Sequence, residues 1–259
     1  MTPTLVFDLE TVPDVAGLRR LRPEWQASTD AEVAERAFAE RREKTGSDFL
    51  PLHLHRIVAI GCAFRDAQGF RVRCLGNERD GENRLIADFF KLVDRYTPQL
   101  VSWNGGGFDL PVLHYRGLLH GVTAARYWEL GEDDRDFRWN NYIGRYHTRH
   151  LDLMDLLSLY QPRATAPLDD IARLCGYPGK LGMGGARVWD AYQRGELAAI
   201  RAYCEADVVN TYLVYSRFQH MRGLHNDAAL AVEEAMVRSA LQTAEGEHWG
   251  EFLAAWPAS

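Results

Sequence analysis

The first strand of the chain constrains its fold most, because an apolar segment there carries two acidic residues. The run 5–7 predicts a buried strand that continues through Asp8 and Glu10 and ends near Pro13. Side chains alternate along a strand, so the carboxylates of Asp8 and Glu10 leave the same face of the sheet. A buried pair of like charges is costly unless it shares a proton or coordinates a cation. By itself the pattern leaves two interpretations open, a cation site or a solvated strand end.

The order of the later apolar segments predicts the fold class. Two runs rich in β-branched and aromatic residues, 56–64 and 70–75, are separated by Asp66-Ala67-Gln68-Gly69, which is typical of a hairpin. A fourth strand is expected at 100–103, after which strands alternate with helices. We therefore expect an α/β protein whose mixed sheet, an antiparallel meander plus parallel strands, is flanked by helices.

Helical patterns account for most of the remaining sequence. Helices are expected near 30–44, 82–96, 108–120, 151–160, 168–175, 187–194, 196–219, 227–245 and 248–255. The charged segment near 30–50 is expected to be an exposed helical insertion, and the residues from about 220 a C-terminal helical extension. Because the sequence has no internal repeat and no low-complexity linker, we expect residues 1–259 to form a single domain.

Composition narrows the class of protein. Hydrophobic residues make up 46% of the chain, which is enough to build one substantial core without disulfides. The 4 cysteines form no Cys-x-x-Cys pair, so the sequence indicates neither a zinc framework nor a thioredoxin-like motif, and a reducing compartment fits best. The longest apolar run after the first strand, 58–64, is too short to span a bilayer. We expect a soluble, cytoplasmic protein with no membrane partner.

The net charge argues against a simple nucleic-acid-binding module. Lys and Arg number 30 against 36 Asp and Glu, which gives a net charge of −6 instead of a basic coat. An enzyme that binds divalent cations escapes this objection, because the cations place positive charge where a phosphate must lie.

A glycine turn after the fourth strand supplies another acid. The segment 102–111, Ser-Trp-Asn-Gly-Gly-Gly-Phe-Asp-Leu-Pro, delivers Asp109 into the first turn of a helix. The glycines match neither the Rossmann fingerprint nor a phosphate-binding P-loop. They would instead allow a substrate backbone to approach closely, while Asn104 offers an amide to a sugar or base. The alternative is that Asp109 is an ordinary favourable acid at a helix N-terminus.

A tyrosine and an acid lie one helical turn apart in the long helix expected at 196–219. The i, i+4 spacing puts the side chains of Tyr203 and Asp207 on one helix face. Taken alone, such a pair is more often a core tyrosine beside a solvated acid.

The order of these three elements resembles the DEDD exonuclease superfamily in its tyrosine-containing (DEDDy) branch. Over roughly residues 4–218 the chain is most similar to stand-alone predicted exonucleases related to the proofreading domain of family B DNA polymerases. Supporting matches are Pro-Leu-His-Leu-His-Arg at 51–56, His-Leu-Asp-Leu-Met-Asp at 150–155 and Val-Trp at 188–189. The histidine branch is excluded, because the position that its histidine occupies is Ala202. The segment 180–185 lacks an acid and a serine expected of relatives, so substrate contacts there stay open.

The resemblance implies a ribonuclease H-like fold with a five-stranded mixed sheet, and metal-dependent 3′→5′ hydrolysis of phosphodiester bonds. It implies that two Mg²⁺ or Mn²⁺ ions bind to four acids and that Tyr203 positions the attacking water. The implied ligands are Asp8, Glu10, Asp109 and Asp207. Asn104 and Phe108 would contact the substrate, a nucleic acid with a free 3′ end that we expect to be single-stranded DNA. A tyrosine with a pKa of about 10 is mostly protonated at neutral pH, so it orients water better than it removes a proton.

The stretch 135–150 combines aromatic and basic side chains, which suits stacking on unpaired bases and neutralisation of phosphates. The candidates for substrate binding are Arg138, Trp139, Arg145 and Tyr146. The equally good alternative is a loop packed by its own aromatic rings, with its arginines in solvent. Helix capping explains Asp152 and Asp155, and a satisfied or exposed pair is a better hypothesis for His53 and His55 than a metal site.

Three other functions share some of these sequence features. A 3′→5′ exoribonuclease uses the same carboxylates, because the 2′-hydroxyl contacts that separate RNA from DNA are not visible in the sequence. A non-catalytic nucleic-acid-binding module has little use for unpaired acids in its core. An endonuclease of the ribonuclease H kind fits the Tyr203 and Asp207 spacing less well. A polymerase or repair partner is unknown, and any polymerase would have to be another chain.

Overall fold

One sheet of five strands organises residues 2–257, the part of the chain that the computed structural model describes. The strands are β1 (Thr4–Pro13), β2 (His55–Asp66), β3 (Gly69–Cys74), β4 (Gln99–Ser102) and β5 (His150–Asp152). Their order across the sheet is β3-β2-β1-β4-β5, with β1, β2 and β3 antiparallel and β4 and β5 parallel to β1. The predicted fold class, an α/β protein with a mixed five-stranded sheet, is confirmed.

Ten helices surround the sheet within the described residues. They are α1 (Val15–Leu21), α2 (Asp30–Thr45), α3 (Glu82–Tyr96), α4 (Asp109–His120), α5 (Leu153–Leu157), α6 (Leu168–Leu174), α7 (Val188–Gln193), α8 (Leu197–Met221), α9 (Asp227–Thr243) and α10 (His248–Ala255). The predicted helices agree with these bounds to within a few residues, with one exception. The expected helix at 151–160 is wrong at its start, because 150–152 pair with β4 as a short strand. That pairing is non-local, and no local pattern signals it.

The two faces of β1 serve two different cores. Leu5, Phe7 and Leu9 pack in one core with residues of α3 and α4. Val6 packs in another with residues of α8. Because side chains alternate along a strand, Asp8 and Glu10 lie on the α8 face with Val6. The central strand therefore presents both acids to the long helix.

Gly61 sets how closely α8 approaches the sheet. It lies opposite Asp8 in the β1–β2 register. A Cβ at Gly61 would lie 2.9 Å from both the carbonyl oxygen and the Sγ of Cys204, which belongs to α8. Only a residue without a side chain permits this contact, since a real Cβ does not approach heavy atoms that closely. The close packing brings the middle of α8 next to the acids of β1.

The segment expected to be an exposed insertion is only half exposed. Helix α2 begins with a capping box between Thr29 and Glu32, a motif that satisfies the free amides of a first turn. Its inner face carries Val33, Ala34 and Ala37, and two of these pack against residues of α1 and Leu50. Because its small apolar residues recur at helical spacing among polar ones, α2 has one solvated and one buried face.

The C-terminal helices complete the core on the α8 side. Val237 and Leu241 of α9 and Trp249 and Phe252 of α10 join the same cluster as Val6. Among residues 2–257, no helix has both the length and the apolar composition needed to cross a bilayer.

Candidate active site

The acids predicted from three separate elements meet beside β1, the central strand of the sheet. Asp8 and Glu10 lie on β1, Asp109 is the first residue of α4, and Asp207 lies in the middle of α8. Asp8, Glu10 and Asp207 line one cleft of about 950 Å³. Asp109 lies behind them, where its Oδ1 accepts a hydrogen bond from the Leu9 amide of β1 at 2.9 Å.

Asp8 and Glu10 form the centre of the charged cluster. One ligand atom from each, together with the Sγ of Cys204, lies within 4.8 Å of the others. Burial raises the pKa of Asp8 well above its ordinary value, and the charges of Asp109 and Asp207 raise it further. Burial likewise raises the pKa of Glu10, and the charge of Asp8 raises it further. Like charges in a low-dielectric site resist ionisation, so the cluster favours a proton or a cation.

Asp109 is held by the backbone of β1. It is buried, with 3% of its surface exposed. Burial raises its pKa to about 7, although the hydrogen bond from the Leu9 amide acts in the opposite direction. A buried carboxyl whose pKa is raised by burial next to a cleft is a functional-site signal with a stated physical cause.

Asp207 has one partnered and one unpartnered oxygen. Its Oδ2 lies 3.2 Å from the ammonium of Lys180. Its Oδ1 is buried and has no hydrogen-bond partner within residues 2–257. A buried carboxylate oxygen without a partner is costly, and such an atom needs a donor or a cation.

The Tyr203 hydroxyl lies one turn before Asp207 and is contacted by the same lysine. Lys180 Nζ donates a hydrogen bond to the Tyr203 hydroxyl oxygen and lies 4.9 Å from the ring centroid. Burial raises the pKa of Tyr203, and the neighbouring charge of Asp207 raises it further. The phenol therefore stays protonated at neutral pH, as the sequence predicted from its ordinary pKa.

Lys180 is the site residue that the sequence prediction missed. Burial opposes the charge of its ammonium, but the carboxylates of Asp207 and Asp8 outweigh it and raise the pKa of Lys180. The sequence marked this position only indirectly, because the segment 180–185 that begins with Lys180 lacks the acid and the serine expected of relatives.

The loop that carries Lys180 is fixed from two sides. Asp169 Oδ1 accepts from the Lys180 amide at 2.6 Å, and Arg173 Nη2 donates to the Lys180 carbonyl at 2.9 Å. Asn210 bridges Gly179 through its amide group, accepting at 3.1 Å and donating at 2.9 Å. Because Asn210 lies in α8 one turn after Asp207, the lysine and the acid are positioned by the same helix.

The glycine turn is anchored by Asp152. Its carboxylate accepts from the amides of Asn104 at 2.9 Å and Gly106 at 2.8 Å. It also caps α5, as predicted, by accepting from the amides of Met154 and Asp155. Asn104 has a positive φ of 64°, a conformation that asparagine tolerates better than most residues. Asn104 and Phe108 line the cleft beside the acids.

The four predicted binding residues of the 135–150 stretch separate into two pairs. Arg145 and Tyr146 line a second cleft of about 450 Å³, which shares Gly107 with the first. Arg138 and Trp139 border neither cleft in the described chain, and Trp139 is 81% exposed. Two of the four residues thus lie beside a cleft, and the role of all four in substrate binding stays a prediction.

The inner side of the same stretch is packed by its own rings. Tyr142 stacks on Tyr127 with 5.5 Å between centroids, and the guanidinium of Arg149 lies 3.7 Å from the Phe137 ring centroid. His55 is satisfied, as expected, by Thr11 Oγ1 at 2.9 Å and the Leu50 carbonyl at 3.1 Å.

A family of known proteins matches most of the chain. The family described as predicted 3'-5' exonucleases related to the exonuclease domain of PolB matches residues 47–256. The chain belongs to this family. The match includes Asp109, Lys180, Tyr203 and Asp207, whereas Asp8 and Glu10 precede it. The family match therefore does not include the two acids of β1, whose place in the site rests on the geometry of the cluster.

Two DNA polymerases are similar to parts of this exonuclease-family chain. A DNA polymerase of Archaeoglobus fulgidus is 26% identical over 138 residues, which are 51% of this chain and 17% of that protein. The family B DNA polymerase of Pyrobaculum calidifontis superposes with a TM-score of 0.52 at 18% identity, covering 93% of this chain and 29% of the polymerase. The second similarity concerns the fold, and the chain spans less than a third of either polymerase.

Exonuclease domains of this kind depend on divalent metal ions. The residues present fit such an ion. Carboxylate oxygens are the ligands that hard divalent cations prefer. The buried Oδ1 of Asp207 lacks a partner among residues 2–257, and the acids of β1 repel one another without a cation.

Proposed function

We propose that the protein is a metal-dependent 3′→5′ exonuclease that removes nucleotides from single-stranded DNA, and that residues 1–259 act as one exonuclease domain. The observation that carries the proposal is the meeting of acids from β1 and α8 beside Tyr203 at one cleft, with Asp109 of α4 bound to the backbone of β1 behind them. Three elements distant in sequence supply the acids, which a solvated strand end or an ordinary helix N-terminus does not explain.

Four carboxylates would hold the metal ions, for which we propose two Mg²⁺ or Mn²⁺. These are Asp8, Glu10, Asp109 and Asp207. When bound, such ions activate water and stabilise the charges of an in-line displacement at phosphorus. The protein's part is to fix these oxygen ligands in place, as the Leu9 amide does for Asp109.

Tyr203 would orient the attacking water. Its buried hydroxyl keeps its proton at neutral pH, because burial and the charge of Asp207 both raise its pKa. Lys180 donates to the same oxygen, so the phenolic proton is left to point at a different acceptor. A hydroxyl that donates in a fixed direction aligns a water molecule without removing its proton.

Lys180 would give the anionic cleft a positive charge. Its side chain is about one-third exposed at 34%, so it faces both the acids and the open cleft. A cation there attracts a phosphate and keeps the Tyr203 hydroxyl aligned. We assign Lys180 the role of positioning Tyr203.

The strand would pass across the glycine turn. Asn104 and Phe108 line the first cleft, Arg145 and Tyr146 line the second, and Gly107 borders both. Exposed aromatic rings and cations suit unpaired bases and phosphates. Arg138 and Trp139 would act farther along the strand. Both similar proteins are DNA polymerases, which favours DNA over RNA as the substrate.

Digestion of 5′-labelled single-stranded DNA, duplex DNA and RNA, with Mg²⁺ or Mn²⁺, tests the proposal. We expect a ladder of shortening labelled products, fastest on single-stranded DNA and absent in EDTA. Internal cuts would indicate an endonuclease, a faster RNA ladder would indicate an exoribonuclease, and binding without cleavage would overturn the enzymatic proposal.

A further inference from the structure

A third cleft lies between β3, an edge strand of the sheet, and the C-terminal end of α3. Its volume of about 480 Å³ is typical of a small-molecule site. It shares no lining residue with the cleft that contains Glu10 and Asp207. Leu5 lines it and lies on the face of β1 opposite Asp8, because side chains alternate along a strand. We call it the β3–α3 cleft.

Arginines give the β3–α3 cleft a positive charge. Phe70 of β3 packs in the core on the α8 side of the sheet, whereas Arg71 and Arg73 line the cleft on the other side. Arg95 of α3 lines the same cleft. Three guanidiniums thus meet there with a single carboxylate, that of Asp66. The local charge is positive in a chain whose net charge is −6.

Two of these guanidiniums form no ion pair among residues 2–257. Asp66, the acid of the cleft, pairs with Arg71 at 2.6 Å. Arg73 and Arg95 have no such partner, and the Arg95 guanidinium lies over the ring of Tyr96, 5.0 Å from its centroid. A guanidinium stays charged at any physiological pH and offers paired donors that match the oxygens of a phosphate. Arg73 and Arg95 are therefore available to an anion in the cleft.

The rest of the β3–α3 cleft is aromatic and apolar. The rings of Phe64 and Tyr96 pack with their centroids 5.0 Å apart, and the Arg71 guanidinium lies 5.5 Å from the Phe64 centroid. Leu5 and Leu75, which belong to the core beneath α3, form part of its floor. Tyr96 is 37% exposed, so part of its ring is open to a ligand. Ring and guanidinium planes of this kind stack well on a planar aromatic group.

We propose that the β3–α3 cleft binds a nucleoside monophosphate, with the phosphate on Arg73 and Arg95 and the base against Tyr96. A phosphate alone would leave the aromatic part of the cleft unfilled, and an uncharged ring would leave both guanidiniums without a partner. A nucleotide satisfies both parts. The choice of a monophosphate rests on the function proposed above, because an exonuclease releases nucleoside monophosphates. The charge and the rings of the cleft do not depend on that function.

Calorimetric titration of the full chain in EDTA tests the site. The ligands are dAMP, inorganic phosphate and deoxyadenosine, and EDTA removes the metal ions through which the active cleft would bind a phosphate. We expect dAMP to bind more tightly than either of its parts. Replacing both Arg73 and Arg95 with alanine should weaken the binding of dAMP and of phosphate by about 10- to 100-fold, the range of hydrogen bonds to a charged group.

Tyr96→Ala separates a nucleotide site from a simple phosphate site. Loss of the ring should weaken dAMP binding by about 5- to 150-fold, the range of one stacking contact, and leave phosphate binding unchanged. Tyr96→Phe should retain the affinity of the wild type for both ligands. If dAMP binds no more tightly than phosphate, or if Tyr96→Ala binds dAMP as the wild type does, the nucleotide proposal is wrong.

The matched control replaces Arg20 and Arg36 with alanine. Both arginines are exposed and line none of the three clefts, so this variant loses the same charge at other places. It should bind dAMP as the wild type does. Equal weakening in the control and in the double variant of Arg73 and Arg95 would reduce the effect to net charge, and unchanged dAMP binding in the latter would place the ligand elsewhere. Either result overturns the proposed site.

A digestion assay separates failure of this site from failure of the exonuclease proposal. Hydrolysis of single-stranded DNA in Mg²⁺ or Mn²⁺ without dAMP binding in EDTA would overturn the nucleotide site alone. Binding of dAMP that depends on Arg73 and Arg95, without hydrolysis, would overturn the exonuclease function and retain the site. Binding of a DNA strand that depends on these arginines, without binding of dAMP, would assign the cleft to nucleic acid and overturn the proposal.

Discussion

The ammonium of Lys180 lies 3.2 Å from the Oδ2 of Asp207. The lysine precedes α7 in a loop, the acid lies in the middle of α8, and the same ammonium contacts the Tyr203 hydroxyl. Its charge also lowers the pKa of Asp8 and Glu10, against their burial and their mutual repulsion. Lys180 thus acts as a counter-ion for Asp8, Glu10 and Asp207.

Replacing Lys180 with methionine should destabilise the metal-free protein. The acids lose their counter-charge, while the methionine keeps most of the apolar side chain. Removing one partner of a fully buried ion pair costs about 3–5 kcal/mol, and we expect about 1–3 kcal/mol because the lysine is one-third exposed. Mg²⁺ should restore much of the loss by replacing the missing charge. Urea unfolding in EDTA and in Mg²⁺ measures both effects, and equal stability of the two proteins in EDTA would contradict the counter-ion role.

Asp8→Ala and Asp207→Ala should each abolish hydrolysis while the protein stays folded. Either change removes a metal ligand without emptying the apolar core, and Asp8→Ala also relieves repulsion among the acids. Digestion assays and circular dichroism check the two parts separately. The exposed Asp133 supplies a matched control, since Asp133→Ala should digest DNA at the wild-type rate. Activity that survives both ligand substitutions, or survives EDTA, would exclude the two-metal mechanism.

The metal-free protein should become less stable as the pH rises. Burial raises the pKa of Asp109 from its ordinary 3.8 to about 7. A group whose pKa is raised by folding contributes stability that is present below its unfolded pKa and is lost as the pH rises through the folded pKa. The loss should therefore fall between about pH 4 and pH 7. Unfolding free energies in EDTA across this window test it, and Asp109→Asn should flatten the profile. A stability that rises over the window would refute the assignment.

Tyr203→Phe should lower kcat with little change in KM. The ring keeps its packing, but the hydroxyl that orients water is lost, and such groups contribute about 10²–10⁴-fold. The loss should be smaller than for Asp207→Ala, which removes a metal ligand. Single-turnover rates and melting temperatures decide between this role and a purely structural one. Undiminished turnover would mean that Tyr203 belongs to the core alone.

Two double variants test which part of the 135–150 stretch contacts the strand. Arg145 and Tyr146 line the second cleft, so replacing both with alanine should weaken single-strand binding and reduce its salt dependence. Arg138 and Trp139 border neither cleft, so their double alanine variant should have the smaller effect. Titrations at several salt concentrations measure both. Unchanged affinity and slope in both variants would make the whole stretch structural.

Local periodicity in the sequence was sufficient for part of the site. Alternation along a strand put Asp8 and Glu10 on one face, and helical spacing put Tyr203 beside Asp207. Asp109 was expected in the first turn of a helix, and α4 begins at that residue. Each of these statements concerns residues fewer than five positions apart, for which backbone geometry alone fixes relative direction.

Only the tertiary structure decided the remaining contacts. Lys180 meets Asp207 because Asn210 and Asp169 hold its loop, and no periodic pattern joins those positions. Residues 150–152 become a strand because β4 pairs with them, and Phe49 reaches Phe108 across more than fifty residues of sequence. Such contacts depend on which surfaces pack together, a property of the whole chain. The sequence by itself determined the fold class and identified the four acids. Packing determined the contact between Lys180 and Asp207 and the contact between the rings of Phe49 and Phe108.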